Sequence, residues 1–369
     1  MHAGDLRPAQ RAPLFVLGFV GLVVGVGAGL ARLGYAVPQT AAAASAWHGA
    51  LMVGGFFGVV ISLERAVALG RYWAYLAPLA GGLGSIALIA GAPAWAAWLL
   101  FVGSTVLLAA SADVFRRQRA VFTLTLALGA ACWTIGNLMW ALGVAIHGVV
   151  AWWLAFLVLT IGGERLELSR FLPPSPTARR AFIAILIVIF VGLAAAFRPL
   201  GIAFFAAGLL SLAVWLLKQD IARRTVQREG LTRFIAVCLL SGYAWLAVGA
   251  LTMLAGGLVP GTRTYDAAVH ALALGFVFSM VFGHAPIIFP AVLRVAVPYH
   301  PVFYAPLALL HTSLLLRIAG DAVNDFAWTR AGGLLNALAL AAFIVTMASA
   351  VVRARHARRR DSPTLTPGR

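Results

Sequence analysis

Apolar residues run along this chain in blocks of about twenty, long enough for each block to cross the hydrocarbon core of a bilayer as a helix. The blocks fall near 13–35, 39–67, 72–92, 94–112, 120–145, 149–170, 178–197, 199–217, 231–258, 264–290, 302–319 and 328–352. They predict an all-α polytopic membrane protein with about twelve transmembrane helices. Several connections are short turns, Gly91-Ala92-Pro93 and Arg198-Pro199 among them, which imply tight hairpins and no separate soluble domain. The expected organisation is a cytoplasmic tail over 1–12, one transmembrane domain over 13–352, and a basic, disordered tail over 353–369. No cleavable signal peptide is expected, because the first block has no small-residue cleavage site and continues into a full span.

Composition supports this and charge refines it. The chain is 62% hydrophobic and 11% charged, with mean hydropathy +0.95. A soluble domain carries about a quarter charged residues, so this one has too little polar surface to cover itself in water. A net charge of +17 would point a soluble protein toward nucleic acid. Here the placement of the charge excludes that partner. Of the 28 Lys and Arg, all but Arg32, Arg198, Arg263, Arg317 and Arg330 fall in the tails or in the loops after even-numbered helices. The positive-inside rule then places both termini in the cytoplasm of a bacterial-type inner membrane, with the lipid bilayer as the main partner. Cys132 and Cys238 lie inside apolar blocks and read as small packing residues, outside any disulfide or metal motif.

A recurrence marks every fourth helix. Helix two begins at His48-Gly49 and ends at Glu64-Arg65; helix six follows His147-Gly148 and ends at Glu164-Arg165; helix ten starts near His270. The period suggests three four-helix repeats.

Four histidines fall within spans: His48, His270, His284 and His311. An ionisable group inside a membrane is a functional candidate by default. His48 and His270 are near the outer ends of two helices that run the same way, at comparable depth. Two neutral imidazoles so placed suit the axial positions of a heme iron. Leu51, Met52, Gly55, Gly58, Val59 and Ser62 share the face of His48. The small ones either leave room for a macrocycle or let helices pack closely. His284 and His311 either form a second metal-binding pair or hydrogen-bond to neighbouring helices. Arg263, Arg317 and Arg330 either anchor heme propionates or snorkel at the interface. Asp266, one turn before His270, either orients that imidazole or is a helix-start charge. Glu64-Arg65 and Glu164-Arg165 are expected to form interfacial ion pairs, with proton entry as a second reading.

Twelve helices with such histidines on helices two and ten resemble the heme–copper oxidase catalytic subunit. Within that architecture Trp47-His48, His270-Ala271-Leu272-Ala273-Leu274-Gly275 and Gly283-His284 look most like the NnrS family. The resemblance implies heme b as cofactor and a role in nitric oxide response or membrane electron transfer. A membrane or periplasmic electron donor and a small gaseous ligand would be its partners. Copper is doubtful and a copper-containing oxygen or nitric oxide reductase of the standard kind is not expected, because helix ten lacks a closely spaced histidine pair and the span 149–197 contains no histidine. The alternative is a twelve-helix transporter or channel without heme, although no inverted repeat with broken helices is evident. Metal-ion handling by His284 and His311 is a third reading.

Overall fold

The computed structural model describes residues 5–168 and 175–360, apart from the side chains of 357–360. Among these residues twelve helices are long and apolar enough to cross a membrane, and the protein is an all-α multi-pass membrane protein. They are α1 (Pro8–Arg32), α2 (Ser45–Leu69), α3 (Tyr72–Ile89), α4 (Pro93–Arg117), α5 (Val121–Ala141) and α6 (Ile146–Leu168). The second half comprises α7 (Pro176–Ala194), α8 (Pro199–Gln219), α9 (Gly230–Gly256), α10 (Arg263–Leu293), α11 (Pro301–Val323) and α12 (Phe326–His356). With an even number of spans both chain ends lie at one face of the bundle, called here the terminal face; the other is the distal face.

Local chemistry sets the boundaries. Pro8, Pro93, Pro176 and Pro199 occupy first-turn positions, where a missing N–H costs nothing. Gly70, at φ 63°, closes α2 in the left-handed conformation that a side chain disfavours. Pro286 and Pro290 do not end α10, which continues to Leu293.

Two ends differ from expectation. The expected tail 1–12 is partly helical, since α1 starts at Pro8. Arg11 is buried there because it donates to Asp5 and to the Val292 and Leu6 carbonyls. At the other end the helix of α12 runs on to Arg360, through the start of the tail expected to be irregular. The rest of that tail, 361–369, lies outside the described residues.

Burial follows the four-helix period. Of the twelve spans, α6, α2 and α10 are the most buried. Helix α10 packs against α1, α2, α6, α9 and α11, and α12 returns to α1. Large apolar side chains such as Val23, Ile187, Leu315 and Val345 stay exposed. That surface suits lipid, which solvates it at no cost.

Helices α2 and α10 also share an irregularity. Each carries an eight-residue π-helical stretch, Leu51–Gly58 in α2 and Ala271–Phe278 in α10, shortly after its histidine. Such wide turns are rare and concentrate at functional sites.

Candidate functional site

The two π-stretches line one seam. At its distal end the rings of His48 and His270 stand 6.3 Å apart, centre to centre, with their planes 20° from parallel. Eight residues further along each helix, Phe56 and Phe278 form a second near-parallel pair, 5.8 Å apart and 8° from parallel. Histidine pair and phenylalanine pair therefore keep one register along α2 and α10.

Each imidazole is held through Nδ1. That atom of His48 donates to the Gly25 carbonyl of α1 at 2.7 Å, and that of His270 donates to the Asp266 carbonyl at 2.8 Å. A carbonyl oxygen only accepts, so Nδ1 carries the proton in both rings and Nε2 keeps its lone pair. Among the described residues no hydrogen bond engages either Nε2. A metal–imidazole bond is about 2 Å long, so two such nitrogens on opposite sides of one metal lie roughly 4 Å apart and the ring centres roughly 6 Å apart. The observed spacing fits that arrangement. Described residues hold no cluster of three or more His, Cys, Asp or Glu suited to a bare metal ion. The donor set is therefore two imidazoles, which suits an iron whose other ligands come from a macrocycle.

Glycines on α1 seat His48. A Cβ at Gly29 would lie 2.8 Å from Cε1 of His48, and one at Gly25 would lie 2.9 Å from Sδ of Met52. Gly55 and Gly58 do different work from the one entertained for a macrocycle. Their faces are filled by Ser85 and Gly21, and by Trp133, respectively, so they bring helices together.

The polar groups beside His270 form a chain. Asp266 accepts from Nε and Nη2 of Arg317, both at 2.8 Å, and one of its oxygens is 3.2 Å from Nδ1 of His270. Asp266 thus orients the imidazole, as one of its two readings had it, and Arg317 fixes Asp266. Arg330 is engaged elsewhere: it stacks over Tyr35 at 4.2 Å and donates to the Gly34 carbonyl at 3.3 Å, tying the α1–α2 connection to α12. Arg263 is exposed and makes no ion pair among the described residues.

His284 and His311 have separate partners. His284 donates from Nδ1 to the Met280 carbonyl at 2.7 Å, and its Nε2 faces Nη1 of Arg165 at 3.5 Å. Nδ1 of His311 accepts from Trp245 Nε1 at 2.9 Å. His311 thus bonds to a neighbouring helix, while the short bond of His284 stays within α10 and its Nε2 meets α6 only at Arg165; the two histidines have no partner in common.

The terminal half holds a network that no sequence spacing announced. Asp220, just beyond α8, accepts from Nε and Nη2 of Arg165, from the Tyr243 hydroxyl at 2.6 Å and from the Ala222 N–H at 2.7 Å. Arg165, Asp220 and Tyr243 are all buried. The ion pairs expected of Glu64 and Glu164 are absent among the described residues; Arg165 turns to Asp220 instead. Both glutamates, with His284, line a cavity of about 540 Å³ between α1, α2, α6, α10 and α12.

A multi-span helical protein with a preorganised histidine pair near its distal face is the class these features define. Residues 11–352 match a family model described as a domain of unknown function, DUF8744, and the chain belongs to that family. No curated protein matches it.

Proposed function

We propose that the protein is a heme-binding integral membrane protein serving membrane electron transfer, with His48 and His270 as the two axial ligands. The carrying observation is the pair of imidazoles 6.3 Å apart, each with Nδ1 committed to a carbonyl and Nε2 left with its lone pair. Heme b would supply a one-electron couple at the seam. The protein's own part is to fix the tautomers through Gly25 and Asp266, to hold Asp266 with Arg317, and to surround the site with apolar helices. Burial beside the Asp266–Arg317 pair tunes the potential. Arg263, exposed at the distal start of α10, and Arg32, exposed at the distal end of α1 within electrostatic range of His48, are cations without an ion pair among the described residues on the side where propionates would emerge.

A heme held by both His48 and His270 would favour electron transfer over binding of a gas at the same iron. The link to nitric oxide response rests on the NnrS-like motifs alone. An inner-membrane location with both termini in the cytoplasm rests on the distribution of Lys and Arg.

An absorption spectrum of protein purified from heme-replete cells tests the proposal. A Soret band with sharp reduced α and β bands is expected, lost in His48→Ala and in His270→Ala. No change on adding carbon monoxide to the reduced protein is expected if both ligands stay bound. A colourless, folded protein would end the heme reading.

A further inference from the structure

Every aspartate among the described residues has a partner at short range. Asp5 holds Arg11, Asp113 holds Arg117, Asp220 holds Arg165 and Asp266 holds Arg317, at 2.6–2.8 Å. Asp321 accepts from the Thr329 hydroxyl, and Asp325 caps the start of α12. The four glutamates, Glu64, Glu164, Glu167 and Glu229, have no such partner among the described residues, and of these Glu64 and Glu164 line a cavity. Neither makes an ion pair or hydrogen bond among the described residues, although the chain carries 28 Lys and Arg against 11 Asp and Glu. They come from α2 and α6, lie near enough to interact electrostatically, and face the same cavity of about 540 Å³.

The nearby cations do not resolve this. Arg165 is committed to Asp220. Arg65 is within electrostatic range of both glutamates without contacting either, and Glu167, also in range, offsets it. Arg355 lies on the cavity wall but is exposed. Of the other polar groups on the wall, the Thr160 hydroxyl is spent on the Phe156 carbonyl, and His284 carries no fixed charge. Everything else lining the space is apolar, with Phe19, Phe57, Phe278 and Phe343 prominent. Two adjacent carboxyls in an apolar chamber cannot both stay ionised without a countercharge, so either protons or a cation must neutralise them. The cavity is the size of a small-molecule site and is walled by aromatic rings that also attract cations.

We propose that this chamber binds an organic cation with a bulky apolar body, whose charge is met by Glu64 and Glu164. The carboxyls hold protons when the chamber is empty and give them up as the cation enters. Size and apolar walls select the body of the ligand; the paired carboxyls select its sign. The carboxyls are remote from the histidines, Glu64 being 16 residues, or roughly 24 Å of helix, from His48, while Phe56 and Phe278 of the seam form part of the chamber wall.

Tetraphenylphosphonium and tetraphenylborate have nearly the same shape and opposite charge, so they separate charge recognition from apolar filling. Binding of each to the purified full-length protein in detergent is measured by equilibrium dialysis. Saturable binding of the phosphonium, at least about tenfold tighter than the borate, is expected. That preference should disappear in Glu64→Gln/Glu164→Gln and fall part-way in each single variant. It should persist in His48→Ala, so that loss of heme and loss of the cation site are read independently. Equal binding of the two ions, no saturable phosphonium binding, or an unchanged preference in the double variant would each overturn the proposal. The comparison of two ions on the unmodified protein needs no variant to fold.

Discussion

The distal seam and the terminal chamber are built from the same residue types on largely the same helices, yet they are finished differently. At the seam every supporting group is satisfied: Gly25 and Asp266 hold the imidazoles, and Arg317 holds Asp266. Among the described residues each imidazole is left with its Nε2 lone pair. In the chamber the supporting network is just as complete, with Asp220 saturated by Arg165, Tyr243 and Ala222, but two whole carboxyls are left over beside it. A site with fixed tautomers and a single gap suits a resident cofactor. An open apolar space with unpaired charge suits a ligand that comes and goes. The contrast lies in what surrounds the reactive groups, since histidines and acids occur in both.

Breaking the supporting networks separates the two regions most sharply. Removing one partner of a buried, hydrogen-bonded ion pair strands the other charge and costs about 3–5 kcal/mol. Asp220→Ala should therefore lower the unfolding temperature of the detergent-solubilised protein more than any other change discussed here, because it strands Arg165 and frees the Tyr243 hydroxyl. Asp220→Asn should cost less, since a carbonyl oxygen still accepts. If Asp220→Ala proves as stable as the parent, the network is not what holds the terminal half together.

At the seam the corresponding change acts on the cofactor more than on the fold. Asp266→Asn keeps the backbone carbonyl that binds Nδ1 of His270 but removes the charge that Arg317 pairs with. Losses of this kind cost roughly 10–100-fold in metal-site affinity. Heme should be lost on dialysis faster than from the parent, followed as decay of the Soret band. Glu64→Gln serves as the control, expected to leave that rate unaltered. Heme loss from both variants at one rate would erase the distinction between seam and chamber.

How much of this was legible in the chain differs between the regions for a physical reason. The comparable depth of His48 and His270 was legible, because both sit near the outer ends of parallel spans; that α2 and α10 are neighbours and that the two rings meet was not. The glycine spacing Gly21, Gly25, Gly29 was also present in the sequence, and small residues four apart on α1 mark a close helix contact. Nothing local said that the contact was with His48. The π-stretches were not legible: Leu51–Gly58 and Ala271–Phe278 are plain apolar runs whose wide turns come from tertiary packing. Asp220 was hidden for another reason. It lies just past the end of α8, where an acid reads as a solvated loop residue, and its partners are on α6 and α9. The Glu-Arg dipeptides misled because adjacent residues on a helix point in different directions. Arg165 reaches Asp220, and Glu164 faces the cavity.

A smaller effect sharpens the seam further. Gly29→Ala places a methyl 2.8 Å from Cε1 of His48, and the ring must move or α1 must retreat. Overpacking of this kind costs about 1–3 kcal/mol. The fold should survive, with broadened or shifted α and β bands as the readout of a tilted imidazole. Gly34, at φ 76° with open space around it, is the matched comparison. Gly34→Ala strains the backbone but reaches no ring, so its spectrum should match the parent's.

Arg330 marks the edge of the seam's influence and should give the least. Its guanidinium rests on Tyr35 and its Nη2 donates to the Gly34 carbonyl, both at the exposed distal face. Exposed cation–π contacts contribute about 0.5–1 kcal/mol, and the 3.3 Å hydrogen bond competes with water. Arg330→Ala should therefore shift the unfolding temperature slightly and leave heme content as it was. Arg330→Lys should recover only part of the small loss, because lysine lacks the planar guanidinium that stacks on the ring while donating sideways. A large fall in heme content on Arg330→Ala, with little change in stability, would instead place this arginine on the cofactor. The propionate role would then pass to it from Arg263, and the boundary between scaffold and site would move outward by one loop.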